Sequence, residues 1–440
     1  MMVEAGESVF SRLDRRLQDA ISEIGYSTPT PIQEKAIPSL LDGRDLIGCA
    51  QTGTGKTAAF LLPILDALLR ADAAAKVKFG HPRALILSPT RELAAQTFEN
   101  FVKYAKFAKI RGACVFGGVN QFGQVKEIRR GADVVIATPG RLIDLMTQGI
   151  IYLDKVEHFV LDEADRMLDM GFLPDIRRII SKLPVEKHSM FFSATLAPEI
   201  LKLAGDLVKD PVQVMISPEK PTVDAIEQRL MSSERSAKDS MLVWLLENNP
   251  DLDKVIVFAR TRHSAERVLK RLLKKHIAAA TIHSDKTQAQ RTRALSGFKK
   301  GDLRVLVATD IASRGIDVPE VDLVVQMELP LEPESYIHRI GRTARAGKGG
   351  RAVAFVSPEE RILIKPVERL IRKTIPFDRD NPFHVDMGGK GDKHDLPLAP
   401  WIKIRKKRNL QRGNPPPSGN APKKRKGHGR RQPDFGQKAI

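Results

Sequence analysis

Two short runs in this 440-residue chain have the residue types for phosphate chemistry. The first, Ala50-Gln51-Thr52-Gly53-Thr54-Gly55-Lys56-Thr57, is glycine-rich and ends in an ammonium and a hydroxyl. Glycines let backbone N–H groups wrap around phosphate oxygens, Lys56 adds a cation, and the Thr57 hydroxyl suits a magnesium ion. About a hundred residues later, Val160-Leu161-Asp162-Glu163-Ala164-Asp165 ends an apolar run in carboxylates that can hold the metal and activate water. Together they predict a nucleoside-triphosphate site. Ala50 stands where the first glycine of such a loop is usual; the loop still follows apolar Leu46-Ile47 and precedes Ala58-Ala59-Phe60-Leu61-Leu62, the strand–loop–helix context a phosphate cradle needs.

Those residues must be positioned by a sheet. Apolar runs at Leu85 to Leu87, Val134 to Ala137, Phe159 to Leu161 and Met190 to Phe192 read as strands, each ending in a polar or Gly/Pro turn. Helical spacing lies between them, as with Leu93, Thr97/Phe98, Phe101/Val102 and Ala105 on one face. This alternation predicts an α/β fold with a parallel sheet covered on both faces. The texture restarts at Val255 to Phe258 and continues through Val305 to Ala308, Leu323 to Gln326 and Ala352 to Val356, so a second lobe is expected. The polar, proline-interrupted Ser217-Pro218-Glu219-Lys220-Pro221-Thr222 suits a linker. The expected division is a first domain over 1–216, a linker over 217–224, a second domain over 225–375, and a mostly disordered tail over 376–440, where Gly, Pro and basic residues bury little apolar surface.

Net charge is +19, and residues 401–440 hold thirteen Lys or Arg against Asp434 alone, which is 13 − 1 = +12 and leaves +7 for the rest. Such a balance favours a polyanionic partner. Cys49 and Cys114 are too few for a disulfide framework or zinc cluster and point to a reducing, cytoplasmic setting. No stretch approaches the roughly 18 unbroken apolar residues of a membrane span.

The acidic run resembles the signature of DEAD-box RNA helicases, and further motifs of that family follow in order over roughly residues 10 to 360. Gly25-Tyr26-Ser27-Thr28-Pro29-Thr30-Pro31-Ile32-Gln33 looks like its adenine-reading motif, with Phe10 as the upstream aromatic. A glutamine amide can donate to one ring nitrogen and accept from the exocyclic amine. Then come Pro89-Thr90-Arg91-Glu92-Leu93, Gly117-Gly118, Thr138-Pro139-Gly140-Arg141 and Ser193-Ala194-Thr195. The second lobe has Val257-Phe258-Ala259-Arg260-Thr261, Gln290 with Arg293, Ala308-Thr309-Asp310 through Ser313-Arg314-Gly315-Ile316-Asp317, and His338-Arg339-Ile340-Gly341-Arg342-Thr343-Ala344-Arg345. Ala344 replaces the glycine most members carry. The short lead and basic tail look most like the bacterial RhlE-type branch.

The resemblance implies two tandem RecA-like domains, ATP and Mg2+ as cofactors, and a role for each residue. Gln51, Thr52, Gly53, Thr54, Gly55, Lys56 and Thr57 would hold the phosphates, with Phe10, Tyr26 and Gln33 on the base and Gly315 and Asp317 on ribose or phosphate. Thr57 and Asp162 would position magnesium, and Glu163 the attacking water. Arg342 and Arg345 would reach the γ-phosphate from the second lobe. Ser193 and Thr195, with Asp165 and His338, would couple hydrolysis to unwinding. Thr90, Arg91, Gly117, Gly118, Thr138, Gly140 and Arg141 would line the RNA path, faced by Arg260, Thr261, Thr309 and Arg314. Met167 and Met170 read as packing residues, and His263 and His283 as surface or cleft polarity.

The resulting expectation is an RNA-dependent ATPase that melts short duplexes locally and nonprocessively or remodels ribonucleoprotein. RNA is its expected partner, with ribosomal or RNA-decay proteins, no membrane, and a monomeric state. Two rivals stay open: an ATP-gated RNA clamp, and a DNA helicase or translocase. The tail reads as a sequence-tolerant RNA tether, with a solubilising role or nuclear targeting as alternatives.

Overall fold

The computed structural model describes residues 8–50, 53–71, 79–216, 225–310, 321–343, 349–387, 395–396 and 402. Its short apolar runs form two wholly parallel sheets. The first contains β1 (Leu46–Cys49), β2 (Ala84–Leu87), β3 (Gly112–Val115), β4 (Val134–Ala137), β5 (His158–Leu161), β6 (His188–Ser193) and β7 (Val212–Met215), in the order β3-β4-β2-β5-β6-β1-β7. In β2 every residue is buried; Ala84 and Ile86 join one core cluster, while Leu85 and Leu87 join another. Successive side chains of a strand point to opposite faces, so a continuous apolar run needs helices on both.

The second sheet repeats the plan with β8 (Ile226–Ser232), β9 (Val255–Phe258), β10 (Ala279–Ile282), β11 (Val305–Ala308), β12 (Leu323–Gln326), β13 (Gly350–Val356), β14 (Phe377–Asp378) and β15 (Asp395–Leu396). Their order is β10-β11-β9-β12-β13-β8-β14-β15. Ile256 and Phe258 face one core, Val255 and Val257 the other. The expected strands are all present, as is the helix Arg91–Tyr104, which buries Leu93, Thr97 and Phe101 but leaves Val102 exposed.

The sheet does not stop at residue 375, where the sequence suggests the second domain closes. Leu230 N–H donates to the Pro376 carbonyl at 2.8 Å, Phe377 pairs with Leu230, and Ile402 is buried in the core cluster against which Trp244 and Phe383 also pack. The linker 217–224 and residues 403–440 lie outside the described residues. Among the described residues, no helix is long and apolar enough to cross a membrane.

Parallel strands place all their carboxyl ends along one edge of each sheet, and open α/β sheets bind ligands there. In the first domain the loops leaving β1, β2, β4, β5 and β6 carry the phosphate loop, Thr90-Arg91, Thr138, the acidic run and Ser193.

Candidate functional site

The loop after β1 is shaped by Gly53 and Gly55, with φ of +88° and +95°, a left-handed backbone that glycine adopts without a Cβ penalty. A Cβ on Gly55 would sit 2.5 Å from Gln33 Nε2 and 2.7 Å from Thr30 Oγ1. The helix Lys56–Arg70 starts at once, so its first N–H groups point into the loop. Lys56 is buried, and its ammonium donates to the Ala50 carbonyl at 3.0 Å. Thr57 is half-buried on the same first turn, and Thr54 is half-buried in the loop. Gln51 and Thr52 lie outside the described residues.

Gln33 is buried and clamps this loop. Its Oε1 accepts from Thr30 N–H at 2.9 Å, and its Nε2 donates to the Gly55 carbonyl at 3.1 Å. By valence the amide keeps one further N–H and one lone pair, the two groups adenine reading requires. Phe10 lies in the hydrophobic core, while the Tyr26 hydroxyl lies 3.2 Å from that of Tyr104.

Beside the loop, the β5 strand ends in a buried acidic turn rather than a solvated one. Asp162 is 2% exposed, and its Oδ1 has no hydrogen-bond partner among the described residues. Burial pushes its carboxyl above the ordinary carboxylate range, opposed by the charge of Lys56 and reinforced by Glu163. A buried, unpartnered carboxylate oxygen beside a phosphate cradle fits a hard divalent cation, which takes one or two carboxylates plus phosphate oxygens. Glu163 is 4% exposed, pairs with Arg166, and has φ 55° and ψ 52°. Left-handed backbone at a non-glycine residue costs about 1–3 kcal/mol and gathers at functional sites.

Asp165 joins the acidic turn to the end of β6. Its Oδ2 accepts from Ala194 N–H at 3.0 Å and Thr195 N–H at 3.1 Å, with the Thr195 hydroxyl at 3.4 Å. Buried Ser193 in turn accepts, through its carbonyl, from Ala50 N–H at 3.0 Å. Three of the four residues expected to couple therefore meet; His338 is on the exposed side of the helix Pro333–Ile340 in the second domain. Met167 is packed as expected, but Met170 lines the groove described next.

That groove is a cavity of about 500 Å³ bordered by Thr90, Arg91, Gly117, Thr138, Gly140 and Arg141. The Arg91 guanidinium lies over the glycine turn: Gly118 has φ +77°, and a Cβ there would overlap Arg91 Nη1. Burial lowers the Arg91 pKa, and the charges of Arg291 and Arg141 lower it further. Three guanidiniums thus converge on a groove with hydroxyls and glycines along its wall, a surface suited to a sugar-phosphate backbone.

From the second domain, Ser284 and Arg291 border the cavity. Arg291 pairs with Glu92 at 2.9 Å, and Gln288 donates to the same carboxylate at 3.2 Å. Gln288 and Arg291 are thus the residues of this helix that reach the first domain, while Gln290, quoted above with Arg293 as a second-lobe motif, closes a capping box with Thr287 at its own helix terminus. Arg260, Thr261 and Thr309 stand outside this lining. Arg260 is held by Glu360 at 3.3 Å and the Leu329 carbonyl at 3.1 Å, Thr261 caps the helix Arg262–Lys274, and Thr309 N–H donates to Ile282. Of the surface or cleft polarity expected, His263 is on the exposed surface and His283 is buried next in sequence to the groove-lining Ser284, its Nε2 2.7 Å from Glu266 Oε1.

Arg342 is buried at the end of the helix Pro333–Ile340, its Nε donating to the His338 carbonyl at 3.2 Å. Arg314, Gly315, Asp317 and Arg345 lie outside the described residues. Arg339 and Asp310 have no role among the motif residues named above, yet Arg339 is 3% exposed and grips Asp310 with two bonds of 2.6 and 2.7 Å while donating to Gln326 and Glu328. The signal was there: Tyr336, Arg339 and Ile340 share one helical face, and a guanidinium among apolar neighbours demands a carboxylate.

Two tandem RecA-like α/β domains, the first holding a phosphate loop, define the class. The DEAD/DEAH box helicase family matches residues 30–203, and the helicase conserved C-terminal domain matches 237–347. The chain is 42% identical over 361 residues to the ATP-dependent RNA helicase DeaD of Mycobacterium tuberculosis, covering 82% of this chain and 62% of that protein. It is 39% identical to the ATP-dependent rRNA helicase RRP3 of Eremothecium gossypii, covering 93% of this chain and 84% of the relative. The solved structure of Saccharomyces cerevisiae Dbp5 bound to RNA and ADP BeF3 superposes with a TM-score of 0.73 at 32% identity, covering 84% of this chain and 95% of that one. This chain belongs to the DEAD-box RNA helicase family.

Proposed function

We propose that the chain is an RNA-stimulated ATPase that couples hydrolysis to local, nonprocessive duplex unwinding or ribonucleoprotein remodelling. The observation that carries this reading is the groove lined from both domains, with Arg91, Arg141 and Arg291 converging where the phosphate-loop domain meets its neighbour. Single-stranded RNA laid there would touch both lobes and so favour their closure, while ATP would do the same from its own side.

In this scheme Lys56 and the loop N–H groups hold the β- and γ-phosphates, and Gln33 reads the base; Tyr26, bonded to Tyr104, and Phe10, packed in the core, would join the base side only by turning out of those contacts. Thr57 and Asp162 hold Mg2+, which when bound neutralises phosphate charge. Glu163 orients the attacking water and accepts its proton. Arg342 and Arg345 stabilise charge on the departing phosphoryl group, making hydrolysis conditional on closure. Thr90, Gly117, Gly118, Thr138 and Gly140 contact the RNA backbone from one lobe, and Arg260, Thr261 and Thr309, which stand outside the groove here, would join with Arg314 from the other lobe only on closure. Thr195 and Ser193, tied by Asp165, relay the nucleotide state.

The expected result of steady-state assays is strong stimulation of ATP turnover by single-stranded RNA and little by DNA of the same sequence. Equal stimulation by both would sink the RNA preference, and no stimulation would favour a clamp. A bacterial RhlE-type assignment, a cytoplasmic monomer, and ribosomal or RNA-decay partners complete the proposal. Residues 403–440 would tether RNA electrostatically; since Ile402 packs into the core, the cut that tests this falls after it. Removing 403–440 should weaken RNA affinity and flatten its salt dependence by about 0.7 in log–log slope for each phosphate no longer neutralised. An unchanged slope would remove the tether.

A further inference from the structure

We propose that a second groove, along the outer face of the helix Gln288–Lys300, carries the RNA strand on beyond the first. This extension rests on the RNA reading above. The second groove is a cavity of about 720 Å³ between Val119 of the first domain and Thr292, Arg293, Ser296, Lys300 and Asp302 of the second. Its lining is distinct from that of the first groove but hydrogen-bonded to it: the Val119 carbonyl accepts from Arg141 at 3.2 Å, and Gln288, which borders the second groove, donates to Glu92, which borders the first. A strand leaving Arg141 and Arg291 crosses that saddle directly.

The lining is built for phosphates rather than for reading bases. Arg293 and Lys300 outnumber Asp302, and the hydroxyls of Thr292 and Ser296 stand between them. Arg293 and Lys300 are seven residues apart, two helical turns, so they lie on one face about 10 Å apart along the axis. Three residues beyond Val119, Phe122 is 75% exposed, the most exposed aromatic among the described residues. Its N–H is fixed by Asn120 Oδ1 at 2.8 Å at the start of the helix Phe122–Arg129. Phe122 is not part of the groove's lining, but a strand that passes Val119 toward the helix Phe122–Arg129 would meet an exposed ring on which a base can stack. An acidic protein segment would satisfy the cations and leave the ring without purpose, and the chain's own basic tail would be repelled.

The test is RNA binding by the full chain with a nonhydrolysable ATP analogue, using oligouridylates of increasing length over a salt series. Wild-type affinity should rise with length until both grooves are filled. The double variant Arg293→Gln, Lys300→Gln should match wild type on the shortest oligonucleotide that binds and bind longer ones about tenfold more weakly. Its salt slope on long RNA should fall by about 1.4, at about 0.7 per phosphate neutralised. Phe122→Ala should cost about fivefold or more on long RNA only, and the effect should vanish with abasic nucleotides in the added segment. Equal weakening at every length, or none at any length, overturns the second groove, as does a length-independent loss that an acidic peptide relieves. If wild type binds RNA of no length, the RNA reading itself falls and takes this inference with it.

Discussion

Glu163→Gln should slow ATP hydrolysis by about 10²- to 10⁴-fold, the range of a positioned general base, while nucleotide and RNA affinities stay within about twofold. Glutamine keeps the size and one acceptor oxygen of the side chain but cannot take a proton from water. The setting makes this substitution informative: Glu163 is 4% exposed, held with φ 55° and paired to Arg166. A surface acid would cost nothing to replace; this one occupies a backbone position that the fold strains to maintain. Because removing one member of a buried ion pair can destabilise by about 3–5 kcal/mol, thermal unfolding should be followed alongside turnover. Near-normal turnover in a stably folded variant would remove Glu163 from the water-activating role.

Gly55→Ala should reduce kcat/KM for ATP by about 100-fold or more, through geometry alone. The position has φ +95°, where a Cβ is strained by roughly 1–2 kcal/mol, and the added methyl would come 2.5 Å from Gln33 Nε2 and 2.7 Å from Thr30 Oγ1. Relief requires Gln33 to release the Gly55 carbonyl, so base recognition and phosphate binding would fail together. ATP binding should weaken far more than RNA-independent folding, and nucleotide titration with thermal unfolding separates the two. Wild-type ATP affinity in Gly55→Ala would show that the loop has another conformation open to it.

Most of the chemistry was legible in the sequence because it depends on adjacent residues. A glycine loop between a strand and a helix, or carboxylates after an apolar run, carries its geometry in its spacing. What depended on long-range pairing was hidden. β3 and β10 end the order of their sheets, and β10, Ala279-Ala280-Thr281-Ile282, has little of the apolar bulk that marks a central strand. β14 is two residues after a proline, held by backbone bonds to β8 that composition does not advertise. Arg339 with Asp310 and Arg291 with Glu92 join residues 29 and about 200 positions apart, so neither half predicts the other. Gln288 and Gln290 sit two apart on one helix turn, and only the capping box decided which reaches across.

The carboxylate of Asp165 ties the end of β6 to the acidic turn, and the same strand end is bonded to Ala50 at the mouth of the phosphate loop. Three loops, assigned by the proposed function to different parts of the reaction, are therefore joined by one hydrogen-bonded network. On the proposed reading, a shift at a bound phosphate would be passed through these bonds to Thr195. If these loops couple hydrolysis to unwinding as proposed, the timing of the cycle would be set by when the two domains meet, not by how long a signal takes to cross either of them.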